Sequence, residues 1–376
     1  MKKRVLILGA GFAGLELATS LSEAHGESID VTIIDKNDAF IFGFAKLDVM
    51  FGHASLESVR LPYREVAKPG VKIVRETVRS IDVKARAVET DAGRHEADFL
   101  VIALGADYDV STTPGVVLGE NEFYSVAGAV RMREVLPGFK KGHAVIGVCG
   151  APYKCPPAPS ECALMLHDYL QERGLRGDCT ITMVNPLSSP VPPSPETSKA
   201  LIEAFAERGI SYLPSRRVVA VDGKVVKLDD GQELPCDLFL GVPKNRAPDV
   251  VVATGLTTDG WVRIDKHTLQ TEVPGVYAVG DLANTGAPKA GVFAEGAAKV
   301  VAANISAAIR GEEGTARNPG AGSCYIEFGG ERIARVDVDF FSGPAPTGRY
   351  WAPSVELVAD KKEFGRVRRG RWFGRT

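Results

Sequence analysis

Short apolar runs recur along the chain, each closed by glycine, an acid or a turn. Residues 5–8 (Val-Leu-Ile-Leu) are apolar throughout, the pattern of a parallel strand buried on both faces. Leu15, Leu17, Ala18 and Leu21 then repeat at helical spacing, and residues 31–34 predict a second strand. The pattern restarts at His143. Residues 143–147 and 180–184 read as strands, with a helix over 160–174 between them. A further strand at 276–279 precedes an alanine- and valine-rich helix over 291–308. Strand–helix–strand units predict parallel sheets covered by helices. The expected fold class is therefore α/β, with two Rossmann-like dinucleotide-binding domains and a smaller C-terminal α+β domain. The expected division is 1–108 together with 262–311, then 109–261, then 315–376. Residues 71–96 and 217–235 alternate apolar and polar positions around turns and read as hairpin crossovers. Residues 186–195, rich in proline, read as a stiff extended loop.

The turn after the first strand is Gly9-Ala10-Gly11-Phe12-Ala13-Gly14. Gly9 permits a tight turn, Gly11 lets the backbone approach a pyrophosphate, and Gly14 lets the helix lie close to the strand. Free N–H groups at the helix start would hold the phosphates, and Asp35, ending the second strand, would accept from ribose hydroxyls. Gly280-Asp281 ends the strand before the 291–308 helix. That pattern resembles the second FAD signature of the two-dinucleotide-domain flavoproteins, and residues 99–105 resemble their connecting strand. The resemblance implies that Asp281 binds the ribityl or pyrophosphate part of FAD.

The corresponding turn of the second unit, residues 147–159, carries four prolines and no glycine triplet. Proline removes backbone donors and fixes φ, so this turn is expected not to hold NAD(P)H. Asn185-Pro186 occupies the region where an acid would read the ribose. The most reactive atom of the loop is the sulfur of Cys155, where the neighbouring Lys154 ammonium is expected to favour thiolate. The alternative is a half-buried structural cysteine. Cys149, at the loop mouth, and Cys162 are weaker candidates, and Cys179 and Cys236 read as packing residues. No pair of cysteines has zinc-ligand spacing, and no metal is expected.

Residues 153–161 (Tyr-Lys-Cys-Pro-Pro-Ala-Pro-Ser-Glu) resemble the redox-cysteine loop of the flavoprotein subunit of flavocytochrome c sulfide dehydrogenase, and are similar to that of sulfide:quinone oxidoreductases. Cys324, in Ser323-Cys324-Tyr325, matches the second redox cysteine of that family. The resemblance implies a redox disulfide between Cys155 and Cys324 beside the flavin. Sulfide, or a small thiol or persulfide, would be its substrate, and electrons would pass to a quinone or cytochrome acceptor. It also places Lys289 beside the flavin, where a cation stabilises the reduced ring; the alternative is a solvated loop lysine. Residues 36–53 hold Phe40, Phe42, Phe44 and Phe51 but no cysteine, so FAD is expected to be non-covalent. Two rivals stay open. One is an NADH:quinone or NADH:acceptor dehydrogenase of the same superfamily; the other is a flavin electron-transfer subunit without turnover of its own.

Composition narrows the partners. With 45 basic and 47 acidic side chains the formal charge is −2, which lacks the basic excess of a nucleic-acid binder. After Met-Lys-Lys-Arg the apolar run is too short for a signal peptide, so a cytoplasmic location is expected. At the other end, residues 366–375 combine arginines with Trp372 and Phe373. They read as a weak peripheral membrane contact, a mobile tail, or a cap on a domain interface.

Overall fold

A computed structural model describes residues 2–375. Its first sheet is parallel throughout, in the order Val276–Ala278, Phe99–Ile102, Lys3–Leu8, Ile29–Asp35, Val71–Arg75. The central strand is flanked on both edges, Val5 facing Val31 on one side and Phe99 on the other. Val5, Ile7, Val31 and Ile33 are buried, which is why these runs carry no polar alternation. A second parallel sheet runs Ile210–Pro214, Cys179–Asn185, Gly142–Val148, Leu238–Val242.

One strand differs from expectation. Val71–Arg75 belongs to the first parallel sheet and not to a crossover. It is an edge strand, so its outward residues alternate as a hairpin would. The crossovers proper are the antiparallel sets at Val78–Asp82, Ala87–Thr90 and Arg94–Glu96, and at Val218–Asp222, Val225–Leu228 and Glu233–Pro235.

Five helices surround the site: α1 (Phe12–His25), α2 (Ala45–Phe51), α3 (Ala158–Glu172), α4 (Gly291–Ile309) and α5 (Glu356–Phe373). Helix α4 is the one described helix long and apolar enough to cross a membrane. Here it lies against α1, with Ala297, Ala298, Val301 and Ile305 buried in the core that they share with Leu17 and Leu21. The C-terminal unit is an antiparallel sheet of Ala321–Glu327, Ile333–Asp339 and Thr347–Ser354, followed by α5.

The end of α5 decides between the three readings of Trp372 and Phe373 in favour of the cap. Trp372 is 0% exposed and packs edge-on against Phe12 and Phe40, with ring centroids 5.5 and 5.6 Å away. Phe373 is buried beside it. Neither ring is free to meet a bilayer, because both fill a gap over α1; the segment is a cap on the first unit. Trp372 Nε1 donates to Glu16 at 2.8 Å, and Arg371 donates to both Glu16 oxygens and to Glu23. Burial works to raise the Glu16 carboxyl, but the bonds from Arg371 and Trp372 outweigh it and hold it below the usual range. Trp372→Ala is expected to cost about 3–5 kcal/mol of stability through the cavity it leaves. Trp372→Phe should cost less, about 1–3 kcal/mol, because it removes mainly the donor to Glu16. Denaturant midpoints of the two variants check the order.

Candidate functional site

The glycine turn is fixed by close contacts on two of its three positions. A Cβ at Gly9 would lie 2.5 Å from Ala103 O, and one at Gly14 would lie 1.9 Å from Gly9 O. At Gly11 it would meet nothing within 4 Å. Gly9 and Gly14 serve packing, whereas Gly11 opens onto a cleft, as a pyrophosphate cradle requires. Asp35 also stabilises the turn: its Oδ2 accepts from Ala10 N, and its Oδ1 from Asn37 N, both at 2.8 Å. Asn37 Nδ2 adds a third bond at 2.9 Å, and of a carboxylate's roughly four acceptor positions about one is left for a ribose hydroxyl.

The cleft has two connected parts that share Gly11, Phe40, Ala103, Gly105 and Lys154. The outer part, about 800 Å³, is lined by Gly9, Asp35, Asn37 and Tyr108. The inner part, about 320 Å³, is lined by Cys155, Cys324, Asp281, Lys289 and Glu161, among others. The cleft thus runs from the glycine turn at Gly11 to the two sulfurs, a length and shape open to an elongated dinucleotide. The N-terminus of α4 borders the inner part through Gly291 and Val292, and no side chain caps it.

Cys155 carries an unusual backbone. Its φ is 51°, the left-handed region, which costs an L-residue about 1–2 kcal/mol. Bonds on both sides impose it. Cys155 N donates to Lys289 O at 2.8 Å, while Cys155 O accepts from Ala158 N at 2.9 Å and from Tyr124 OH at 3.2 Å. Lys154 N donates to Asn245 Oδ1 at 2.7 Å.

The expected help from Lys154 is overturned. Its Nζ donates to Ala106 O at 2.7 Å and lies 4.0 Å from the Tyr108 ring centre, so it serves the outer cleft. Burial brings its pKa down to about 8. Burial pushes the Cys155 thiol far up, Glu161 and Cys324 add to that, and Lys46 is the cation that opposes it. Cys324 is pushed up to about 12, by burial first and by Glu161 next. Both are free thiols in this structure, and neither is a stabilised thiolate.

Lys289 is 7% exposed, which excludes the solvated alternative. Its Nζ donates to Asp281 O at 2.7 Å and lies 3.5 Å from the Trp261 ring centre. Burial brings its pKa down to about 8, against the pull of Asp281. Burial in turn raises the Asp281 carboxyl, with Lys154, Lys289 and Lys46 opposing. Cys149 lies apart from this cavity, packed with Val145, Val184, Val218 and Phe239, and burial pushes it up to about 12. Cys162, Cys179 and Cys236 are buried.

Five lining residues escaped the sequence reading. Lys46 donates to Tyr124 O, and Tyr124 covers Cys155. Glu161, 2% exposed, accepts from Glu327 N at 3.0 Å, and burial pushes its pKa up to about 7 against the pull of Lys361. Lys361 and Phe364 reach the cavity from α5. The available signals were a lone lysine in the aromatic run 39–51 and an acid on the apolar helix that follows Cys155.

The family model of the pyridine nucleotide-disulphide oxidoreductases matches residues 3–308. The chain is 27% identical to the sulfide-quinone reductase of Aquifex aeolicus (strain VF5), over 98% of this chain and 92% of that protein. The type II NADH:quinone oxidoreductase of Staphylococcus aureus is 34% identical over 136 residues, 36% of this chain and 33% of that protein. Among solved structures, the sulfide:quinone oxidoreductase of Aquifex aeolicus superposes with a TM-score of 0.87 at 24% identity, covering 98% of this chain and 91% of that one.

The raised Glu161 carboxyl has a consequence for stability. The folded protein binds this proton more tightly than the unfolded chain, so stability falls as pH rises from about 4.5 to about 7 and the full cost stands above that. Glu161→Gln carries no such charge. It should match the unsubstituted protein near pH 4 and exceed it by roughly 3 kcal/mol at pH 8, as read by denaturant unfolding at the two pH values.

Proposed function

The chain belongs to the pyridine nucleotide-disulphide oxidoreductases, and on that premise we propose that it is an FAD-dependent oxidoreductase of sulfide, or of a related persulfide or thiol. Electrons would pass to a quinone or a cytochrome-type acceptor. The observation that carries this reading is the presence of Cys155 and Cys324 in one buried cavity, opposite the cleft that begins at the glycine turn. The similarity to a sulfide-quinone reductase over nearly the whole chain supports it.

The residues that would hold FAD non-covalently are Asp35 at the ribose, Gly11 and the start of α1 at the pyrophosphate, and Asp281, Lys289 and the start of α4 at the ring end. Residues 1–108 with 262–311 would form this unit, 109–261 the second, and 315–376 the unit that brings Cys324. When bound, FAD supplies a two-electron acceptor beside the sulfurs. The protein supplies the sulfur chemistry. In the oxidised form Cys155 and Cys324 would share a disulfide, which the absence of a stabilised thiolate favours. Hydrosulfide attacks one of the two sulfurs, a new S–S bond forms, and the Cys155–Cys324 bond breaks. One cysteine becomes a persulfide and the other leaves as thiolate. Glu161, with a pKa near neutrality, accepts the persulfide proton. Lys46 is the cation placed to steady the leaving thiolate.

The second unit argues against NADH as the donor. Its turn holds Pro152, Pro156, Pro157 and Pro159, and at the start of α3 Ala158 N is already bonded to Cys155 O while Pro159 has no N–H. The backbone donors that a second pyrophosphate needs are removed there.

Anaerobic titration of the FAD-loaded protein, followed at the visible flavin absorbance, tests the reading. Sulfide should bleach the flavin and NADH should not. Cys155→Ser and Cys324→Ser should each abolish the sulfide response with flavin content unchanged. Bleaching by NADH alone would make the protein an NADH dehydrogenase, and full bleaching by sulfide in both variants would remove the disulfide mechanism.

A further inference from the structure

Between the sulfur cavity and the surface lies a set of ionisable groups that this chemistry does not yet use. Glu161 comes from α3, Asp48 from α2, Glu327 from the end of the strand Ala321–Glu327, and Lys361 from α5. Helices α2 and α3 pack together, with the rings of Phe51 and Tyr169 centred 5.9 Å apart. Glu327 N donates to Glu161 Oε1 at 3.0 Å, and the Glu327 carboxylate accepts from Lys361 Nζ. Outward from there, Asp48 Oδ1 lies 4.0 Å from His53 Nδ1. Side-chain exposure rises along the same line, from the buried Glu161 through Asp48 at 35% to His53 at 58%.

Reaction stoichiometry demands such a line. Resting on the sulfide-oxidising reading above, conversion of hydrosulfide to zero-valent sulfur releases two electrons and one proton. Reduction of a quinone consumes two electrons and two protons. Each turnover with a quinone therefore draws one proton from solvent, while an acceptor of electrons alone would need one proton expelled. In both cases a proton crosses the wall around the cavity.

We propose that Asp48, with His53 at its outer side, exchanges protons between Glu161 and solvent. Asp48 is a proton-transfer residue acting through Glu161, and it does not touch the sulfurs. Glu161 and Asp48 share the single ammonium of Lys361 with the Glu327 carboxylate that it already bonds, so simultaneous ionisation of Glu161 and Asp48 is disfavoured. The remaining groups facing Glu161 are the thiols of Cys155 and Cys324, which its charge also opposes. Burial raises the Asp48 carboxyl as well, Lys361 and His53 pulling it down and Glu327 adding to the rise. Both carboxyls are thus raised in the same direction, toward the range in which each can bind and release a proton.

The test uses the FAD-loaded full chain with Asp48→Asn and Asp48→Glu. With sulfide and a soluble quinone, Asp48→Asn should slow turnover roughly tenfold, less than the 10²–10⁴ of a group acting directly. The limb of the pH profile that reports Glu161 should move to lower pH, since a like charge is gone. The solvent deuterium isotope effect should grow, and formic acid added as a small proton carrier should restore the rate. Asp48→Glu should retain most of it. The infrared carboxyl band of Glu161, assigned by its loss in Glu161→Gln, should titrate at lower pH in Asp48→Asn whether or not substrate is present. Sulfide bleaching with rate, limb and infrared midpoint all unchanged in Asp48→Asn would overturn this route alone. Absence of sulfide bleaching in the unsubstituted protein would overturn the functional reading and the route with it.

Discussion

The bond from Cys155 N to Lys289 O holds the chemistry of this protein in place. It joins the proline-rich loop of the second sheet to the segment that follows Gly280-Asp281 in the first. One side of the bond carries the sulfur and the other carries the lysine packed on Trp261. The left-handed backbone at Cys155 is tolerated because this bond, the Tyr124 hydroxyl and Asn245 fix the loop from three directions. Prolines on both sides of Cys155 reduce the alternatives open to the chain, so little entropy opposes the strained turn. Strain at a sulfur-bearing residue is thus a product of how the two parallel sheets are tied together.

Burial then sets the character of most ionisable groups in and around the cavity, Lys361 being the exception, where Glu161, Glu327 and Asp48 outweigh it. Lys154 and Lys289 are brought down to about 8, and the carboxyls of Asp281, Glu161 and Asp48 are all raised. The same desolvation pushes both thiols up. A low-dielectric cavity of this kind disfavours standing charge and strengthens the interactions of any charge created during reaction. Reactivity here does not come from a preformed thiolate. What the cavity supplies instead is cations and acids close to the two sulfurs.

What could be read from the sequence follows the range of the forces involved. Gly9, Gly11 and Gly14 were legible because their constraints arise within one turn and its neighbouring strands. Apolar runs such as residues 5–8 were legible because a strand covered on both faces admits nothing else. Lys154 was misread because adjacency in sequence was taken for adjacency in space, whereas its side chain runs away from Cys155 to Ala106. The reading of Trp372 stayed open between a membrane contact, a tail and a cap because its partners, Phe12 and Phe40, lie more than 300 residues earlier. Glu161 and Asp48 look ordinary in their own helices. Their environment is assembled from a strand and a helix of the C-terminal unit, which no local pattern announces.

Helix α5 shows how far that assembly extends. Its first half supplies Lys361 and Phe364 to the cavity that holds the two cysteines. Its last turn places Trp372 against Phe12, the residue directly after Gly11, and bonds Glu16 one turn further along α1. The phosphate turn and the sulfur cavity are therefore walls of one cleft braced by a single helix. Displacing that helix would take Arg371 and Trp372 from Glu16 and leave Glu161 and Glu327 facing each other without Lys361. Removing one partner from a buried charge cluster costs several kcal/mol, so order at the C-terminus and order around the sulfurs are energetically the same event.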